Sequence, residues 1–118
     1  MKPAKISIVL AAVFGSSQAL AGNWVTHEGP LWFRIDKDTI RRGNDNLVYY
    51  RSQSSMFELD NAVDCKKRVY FTLKRLVPEN LKQYMPEDTV YPNWRNDGRA
   101  VVPGSVGEAE LQYVCANA

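Results

Sequence analysis

The residues of this chain able to do covalent or metal chemistry are few. Cys65 and Cys115 are its two cysteines and His27 its one histidine. Such a set can hold a metal, supply a nucleophile or close a disulfide. Two isolated cysteines and one distant histidine make a poor ligand set, because metal sites draw their ligands from closely spaced pairs. An even cysteine count in an exported chain reads instead as one bond, Cys65–Cys115. Free thiols are the alternative. Closing a loop of about 50 residues removes roughly 4 kcal/mol of freedom from the unfolded chain. His27 could ligate haem or act as a base, but no partner for it is visible in the sequence. Ser52, Ser54, Ser55 and Ser105 form no recognisable triad with it. No glycine-rich phosphate loop and no close carboxylate pair is present. Asp36 and Asp38 fall at a turn, where capping explains them. The expectation is therefore a protein that binds rather than an enzyme, and no cofactor is expected.

The remaining chemistry is electrostatic. Lys66, Lys67 and Arg68 follow the first cysteine, and Lys74 and Arg75 lie a little further on. On a continuous strand, Lys66, Arg68 and Lys74 share one face with Tyr70 and Thr72 interleaved. That arrangement makes a basic stripe for a polyanion or an acidic protein segment. The competing reading is a solvated outer face that keeps a sheet from aggregating. Arg41 and Arg42 read as plain solvated charge. Most of the aromatic residues must be core in so small a domain.

The export reading comes from the N-terminus. Lys2 and Lys5 precede the apolar run Ile6–Phe14, and Ala19-Leu20-Ala21 follows. A charged start, a short apolar core and an A-x-A site are the marks of a secretory signal peptide. Residues 1–21 are read as signal and 22–118 as one domain. The apolar run falls short of the about 20 residues a membrane span needs. No cysteine lies near the cleavage site, so no lipid anchor is expected. Loss of Lys2 and Lys5 takes Lys+Arg from 15 to 13, against 13 Asp+Glu. A neutral mature chain gives no reason to expect nucleic acid as a partner.

The elements that must position these residues follow from pattern. Leu31–Asp36 alternates as a strand after the Gly29-Pro30 turn. Asp36 is expected to cap a short helical turn through Ile40. "RRGNDN" (41–46) and Leu47–Arg51 make a hairpin. Ser52–Leu59 stays extended, Asp60-Asn61-Ala62 reads as a second turn, and Val63–Leu76 as the longest strand. Val69, Phe71 and Leu73 fall on one face of it, with Tyr70, Thr72 and Lys74 on the other. Pro78–Gly98 reads as a surface excursion, functional or structural, with some strand near Thr89–Tyr91. Ser105-x-x-Glu108 is a capping box that opens a C-terminal helix. Gly107, Leu111, Val114 and Cys115 share one face of that helix. The fold class is α+β: an antiparallel β-sheet with a C-terminal α-helix packed on it and joined to its central strand by Cys65–Cys115.

Several stretches together carry a family resemblance: Trp24, "FRIDKDTIRR" at 33–42, "VDCKKRVY" at 63–70, Trp94, and "VPGSVGEAELQYVC" at 102–115. Over nearly all of the mature chain the sequence resembles the surface-adhesin protein E family of bacterial exported proteins. The resemblance implies the same disulfide-tied sheet and helix. It also implies binding of host matrix proteins such as vitronectin and laminin, binding of haem, and a homodimer. Aligned on Cys65, the family's matrix-binding segment falls on Ser55–Arg75. Lys66, Lys67, Arg68, Tyr70, Lys74 and Arg75 are thus the candidate binding residues. One departure is the missing lipid-acceptor cysteine. The expected role is an exported, adhesin-like binding protein at the cell surface. The alternatives are a soluble periplasmic accessory protein that binds an envelope protein or a small ligand and, behind it, a small secreted enzyme.

Overall fold

Strand pairing begins where β-branched and aromatic residues alternate with charge, and in the computed structural model it runs through most of the chain. The structure describes residues 22–27, 33–54, 56–85 and 87–118. The signal-peptide reading and the Gly29-Pro30 turn lie outside the described residues. The strands are β1 (Trp24–His27), β2 (Phe33–Arg42), β3 (Val48–Ser54), β4 (Phe57–Asp64), β5 (Val69–Leu76), β6 (Thr89–Val90) and β7 (Arg99–Ala100). One helix follows, α1 (Val106–Ala116). All strand pairs are antiparallel, in the order β1-β2-β3-β4-β5-β6, and β7 also pairs with β5. The α+β architecture read from the sequence is the one observed.

Helix α1 packs on β2 and β3. Leu111 and Val114 meet Phe33, Ile35, Val48, Tyr50 and Val63 in one buried cluster. The capping box forms with one change. Ser105 Oγ accepts from the Glu108 N–H at 3.2 Å. The Glu108 carboxylate, however, reaches past the cap residue to the Gly104 N–H at 2.9 Å.

The opposite face carries a row of alternating charge. Asp36, Arg51, Asp60 and Lys74 stand in register across four strands. Arg51 and Asp60 are joined at 2.8 Å. Opposite charges directly across a ladder support pairing.

Four local readings are corrected, each for a reason that lies across the sheet. Ser52–Leu59 is not one extended run: β3 ends at Ser54 and β4 starts back at Phe57, with Ser54 paired to Phe57 and Gln53 to Glu58. Asp36 caps no helical turn, and β2 continues to Arg42 through an irregularity between Asp36 and Arg41. The Asp36 carboxylate does gather backbone donors, from Asn23 at 3.0 Å and Asp38 at 3.2 Å. Thr39 Oγ1 then accepts from the Arg51 N–H at 2.8 Å, holding the irregular segment to β3. Asp60-Asn61-Ala62 is no turn but the middle of β4. Asn61 is buried because its amide donates to Ser52 Oγ at 2.8 Å on the neighbouring strand. Val63–Leu76 is not one strand: Cys65–Arg68 is a turn between β4 and β5.

Cys65 and Cys115 are bonded, with their Cα atoms 6.1 Å apart. The bond therefore joins the helix to a turn at the end of the sheet rather than to a central strand. A helix of 11 residues is marginal in water on its own, so the bond holds it on the sheet. Replacing both cysteines by alanine is expected to lower the free energy of unfolding in urea by about 4 kcal/mol. A loss below about 1 kcal/mol would contradict a stabilising role for the bond.

Candidate binding surface

The candidate basic residues sit on two different structures. The first is the turn that follows Asp64. The Asp64 carboxylate accepts from the N–H groups of Lys66 at 3.0 Å and Lys67 at 2.9 Å, while its carbonyl accepts from Arg68 N–H at 2.8 Å. An aspartate that gathers the next amides in this way builds a tight turn. Closure requires Arg68 to adopt φ +56°, the left-handed region. For a residue with a β-carbon that conformation costs on the order of 1–3 kcal/mol.

Surrounding contacts over-determine Arg68. Its carbonyl accepts from the Val101 N–H at 2.9 Å. Its guanidinium pairs with the Glu108 carboxylate in the first turn of α1. The same short turn thus grips the helix twice, through Arg68 near its start and Cys65 near its end. Glu108 and Cys115 are about 10 Å apart along the helix axis. Arg68 and Gly104 both hold the Glu108 carboxyl below its ordinary range, the backbone bond from Gly104 being the larger cause.

The rest of the basic set is dispersed. Lys66 and Lys67 are exposed and make no ion pair among the described residues. Tyr70 is half-buried on the helix side of β5, packed against the core. Near the other end of β5 a bulge changes the faces: Asn61 pairs with Thr72, but its neighbour Asp60 pairs with Lys74. Consecutive residues point to opposite faces. Lys74 therefore leaves the face of Tyr70 and Thr72, and Arg75 joins it. The Arg75 guanidinium lies 4.5 Å over the Phe57 ring and donates to Thr89 Oγ1 at 3.2 Å. The structure brings Lys66, Lys67 and Arg68 together and does not extend them into a stripe with Lys74 and Arg75.

The 78–98 excursion wraps the sheet. A short 3₁₀ turn, Trp94–Asn96, brings the Trp94 ring edge-on to Phe71 at 5.5 Å and to Tyr49 at 6.2 Å. Gly98 lets the chain lie close: a β-carbon there would stand 2.6 Å from the Phe71 ring and 2.7 Å from Val69. Asp45 accepts from the Tyr49 hydroxyl and from Arg95, which closes this patch over the 43–47 turn. Two hollows remain. One, of about 570 Å³, lies where this excursion returns to β5, between Tyr70, Thr72, Tyr91 and Arg99. The other, of about 360 Å³, lies beside Arg41, Arg51 and Asp60. Neither is legible in the sequence, because their walls come from segments far apart in the chain.

Among the described residues no helix is long and apolar enough to cross a membrane, and no group of three or more His, Cys, Asp or Glu is placed to hold a metal. No protein-family description, no curated protein and no solved structure matches the chain.

Under the helix, the Tyr50 hydroxyl donates to Glu110 at 2.8 Å. Burial pushes the Glu110 carboxyl above its ordinary value, and the hydrogen bond from Tyr50 only partly offsets this. A carboxyl raised in the folded state binds its proton more tightly there than in the unfolded chain. Its contribution is fully present below the ordinary glutamate value and is lost as pH rises through the folded value. Asp45, Asp88 and Glu108, all lowered, act in the opposite sense. Glu110→Gln keeps an acceptor for Tyr50 and removes the charge. The melting temperature of the variant relative to the parent is expected to be higher at pH 7 than at pH 4. A difference that does not change with pH would contradict the assignment.

Proposed function

We propose that this protein is an exported binding domain whose contact surface is the corner formed by the Cys65–Arg68 turn and the start of α1. One observation carries the reading. Two cations, Lys66 and Lys67, stand unpaired on a turn fixed by a disulfide, by an aspartate that gathers its amides and by the Arg68–Glu108 pair. Charges on a rigid support lose little freedom on binding, which favours affinity. Unpaired lysines on a sheet face are commonplace; lysines on a turn tied at two points to a helix are presented in one geometry. The partner is a protein with an acidic surface. A host matrix protein or an envelope protein fits that description, in line with the resemblance to the surface-adhesin protein E family. The disulfide fits an oxidising compartment, so the protein would work in the periplasm or at the cell surface.

Arg68 supports the corner rather than contacting the partner, because its guanidinium is already engaged by Glu108. Arg75 and Lys74 lie too far along β5 to join the same contact.

Purified vitronectin and laminin, immobilised for interferometry, are the first probes. Lys66→Glu/Lys67→Glu should weaken binding tenfold or more and flatten its dependence on salt, with the melting temperature unchanged. Absence of binding by the parent protein, or equal binding by the charge-reversed one, would refute the reading. Protease accessibility on intact cells separates surface display from a periplasmic pool.

A further inference from the structure

We propose that the cleft beside β5 is a binding site for a neutral saccharide of one or two rings. Its volume, about 570 Å³, falls within the about 300–1,000 Å³ of small-molecule sites. Tyr70 and Thr72 form one wall, on the helix side of β5, with Leu59 from the neighbouring strand. Tyr91, Asn96, Asp97 and Arg99 form the other, from the returning excursion.

The state of the polar groups distinguishes this cleft from the second hollow. There, Arg51 is paired with Asp60, Thr39 is bonded to Asp36 and Arg51, and Asn61 donates to Ser52. Those groups complete the sheet, and of this hollow's polar side chains only Arg41 makes no hydrogen bond among the described residues, its guanidinium lying 4.5 Å over the Tyr49 ring. In the cleft, the side chains of Thr72, Asn96, Asp97 and Arg99 and the hydroxyls of Tyr70 and Tyr91 make no hydrogen bond among the described residues. Six polar side chains thus line one concavity without a protein partner, Tyr70 and Thr72 half-buried on the sheet and Tyr91, Asn96, Asp97 and Arg99 exposed on the returning excursion.

The mixture of groups selects the ligand class. A pyranose presents apolar C–H faces and a rim of hydroxyls, each both donor and acceptor. Tyrosine rings suit the first. A carboxylate, an amide, a guanidinium and a hydroxyl suit the second. Asp97 opposes a phosphate or other strong anion, and one carboxylate beside an arginine is a poor cation site. An added peptide strand is also disfavoured. β7 occupies the edge of β5 at Val69 and Tyr70 and β6 at Lys74 and Arg75, and between them Leu73 O already accepts from the Tyr91 N–H at 2.9 Å. The gap is too short for a strand and suits a ring.

Titration of the ¹⁵N-labelled, disulfide-bonded protein with cellobiose and with N,N′-diacetylchitobiose, at millimolar concentration, tests this. At least one disaccharide should give saturable amide shifts confined to residues 59, 70–72, 91 and 96–99. Tyr91→Ala and Asp97→Asn should each weaken that binding tenfold or more. Tyr84→Ala, an exposed tyrosine elsewhere, should leave it unchanged, and so should Lys66→Glu/Lys67→Glu, which separates this site from the protein-binding corner. Failure of both disaccharides to shift these amides would overturn the proposal. So would shifts elsewhere on the protein, or binding that survives Tyr91→Ala and Asp97→Asn.

Discussion

The bond between Cys65 and Cys115 is the constraint on which the rest of this structure depends. A sheet with helix on one face needs that helix to bury its core, and 11 residues are too few to hold themselves. Leu111 and Val114 become core only when α1 lies across β2 and β3. The turn that carries Cys65 is also the one that places Arg68 against Glu108. Covalent and ionic contacts therefore act on the same helix from the same turn. The left-handed conformation of Arg68 is the strain this arrangement carries, and the contacts of its guanidinium and carbonyl offset it.

The two faces of the sheet divide the labour. One face is a charged ladder, closed at one end by Trp94 between Tyr49 and Phe71. The other is covered by α1 over β2 and β3 and left open towards β5. The open part carries Leu59, Tyr70 and Thr72, which are half-buried rather than sealed. The features with unused binding capacity, the lysine corner and the saccharide cleft, both adjoin β5, the corner just before its first residue and the cleft along its edge.

What was legible in the sequence had local causes. Ser105 and Glu108 are three residues apart, so the helix start could be read, and the 41–46 hairpin turn has its own glycine and asparagines. The disulfide followed from the cysteine count. The misread segments had partners elsewhere. Asn61 looks like a turn residue until Ser52, on another strand, accepts its amide. Asp36 looks like a cap until Asn23 and Thr39 share its bonds. Arg68 carries no glycine-like signal for a positive φ, and without that signal Val63–Leu76 reads as one strand. The bulge that separates Thr72 from Lys74 is likewise set by pairing with β4, so no alternation pattern could place Lys74 and Arg75. Of the site, the lysines were visible as a basic run, whereas the cleft, assembled from residues 59 to 99, was not.

Amide hydrogen exchange, measured before and after reduction of the disulfide, tests the clamp most directly. Reduction is expected to release the amides of Leu111 and Val114 first and furthest, with Val48, Tyr50 and Ala62 in β3 and β4 losing protection by a much smaller factor. Equal protection of the helix in both states, or two thiols found free in the unreduced protein, would contradict a helix held in place by Cys65.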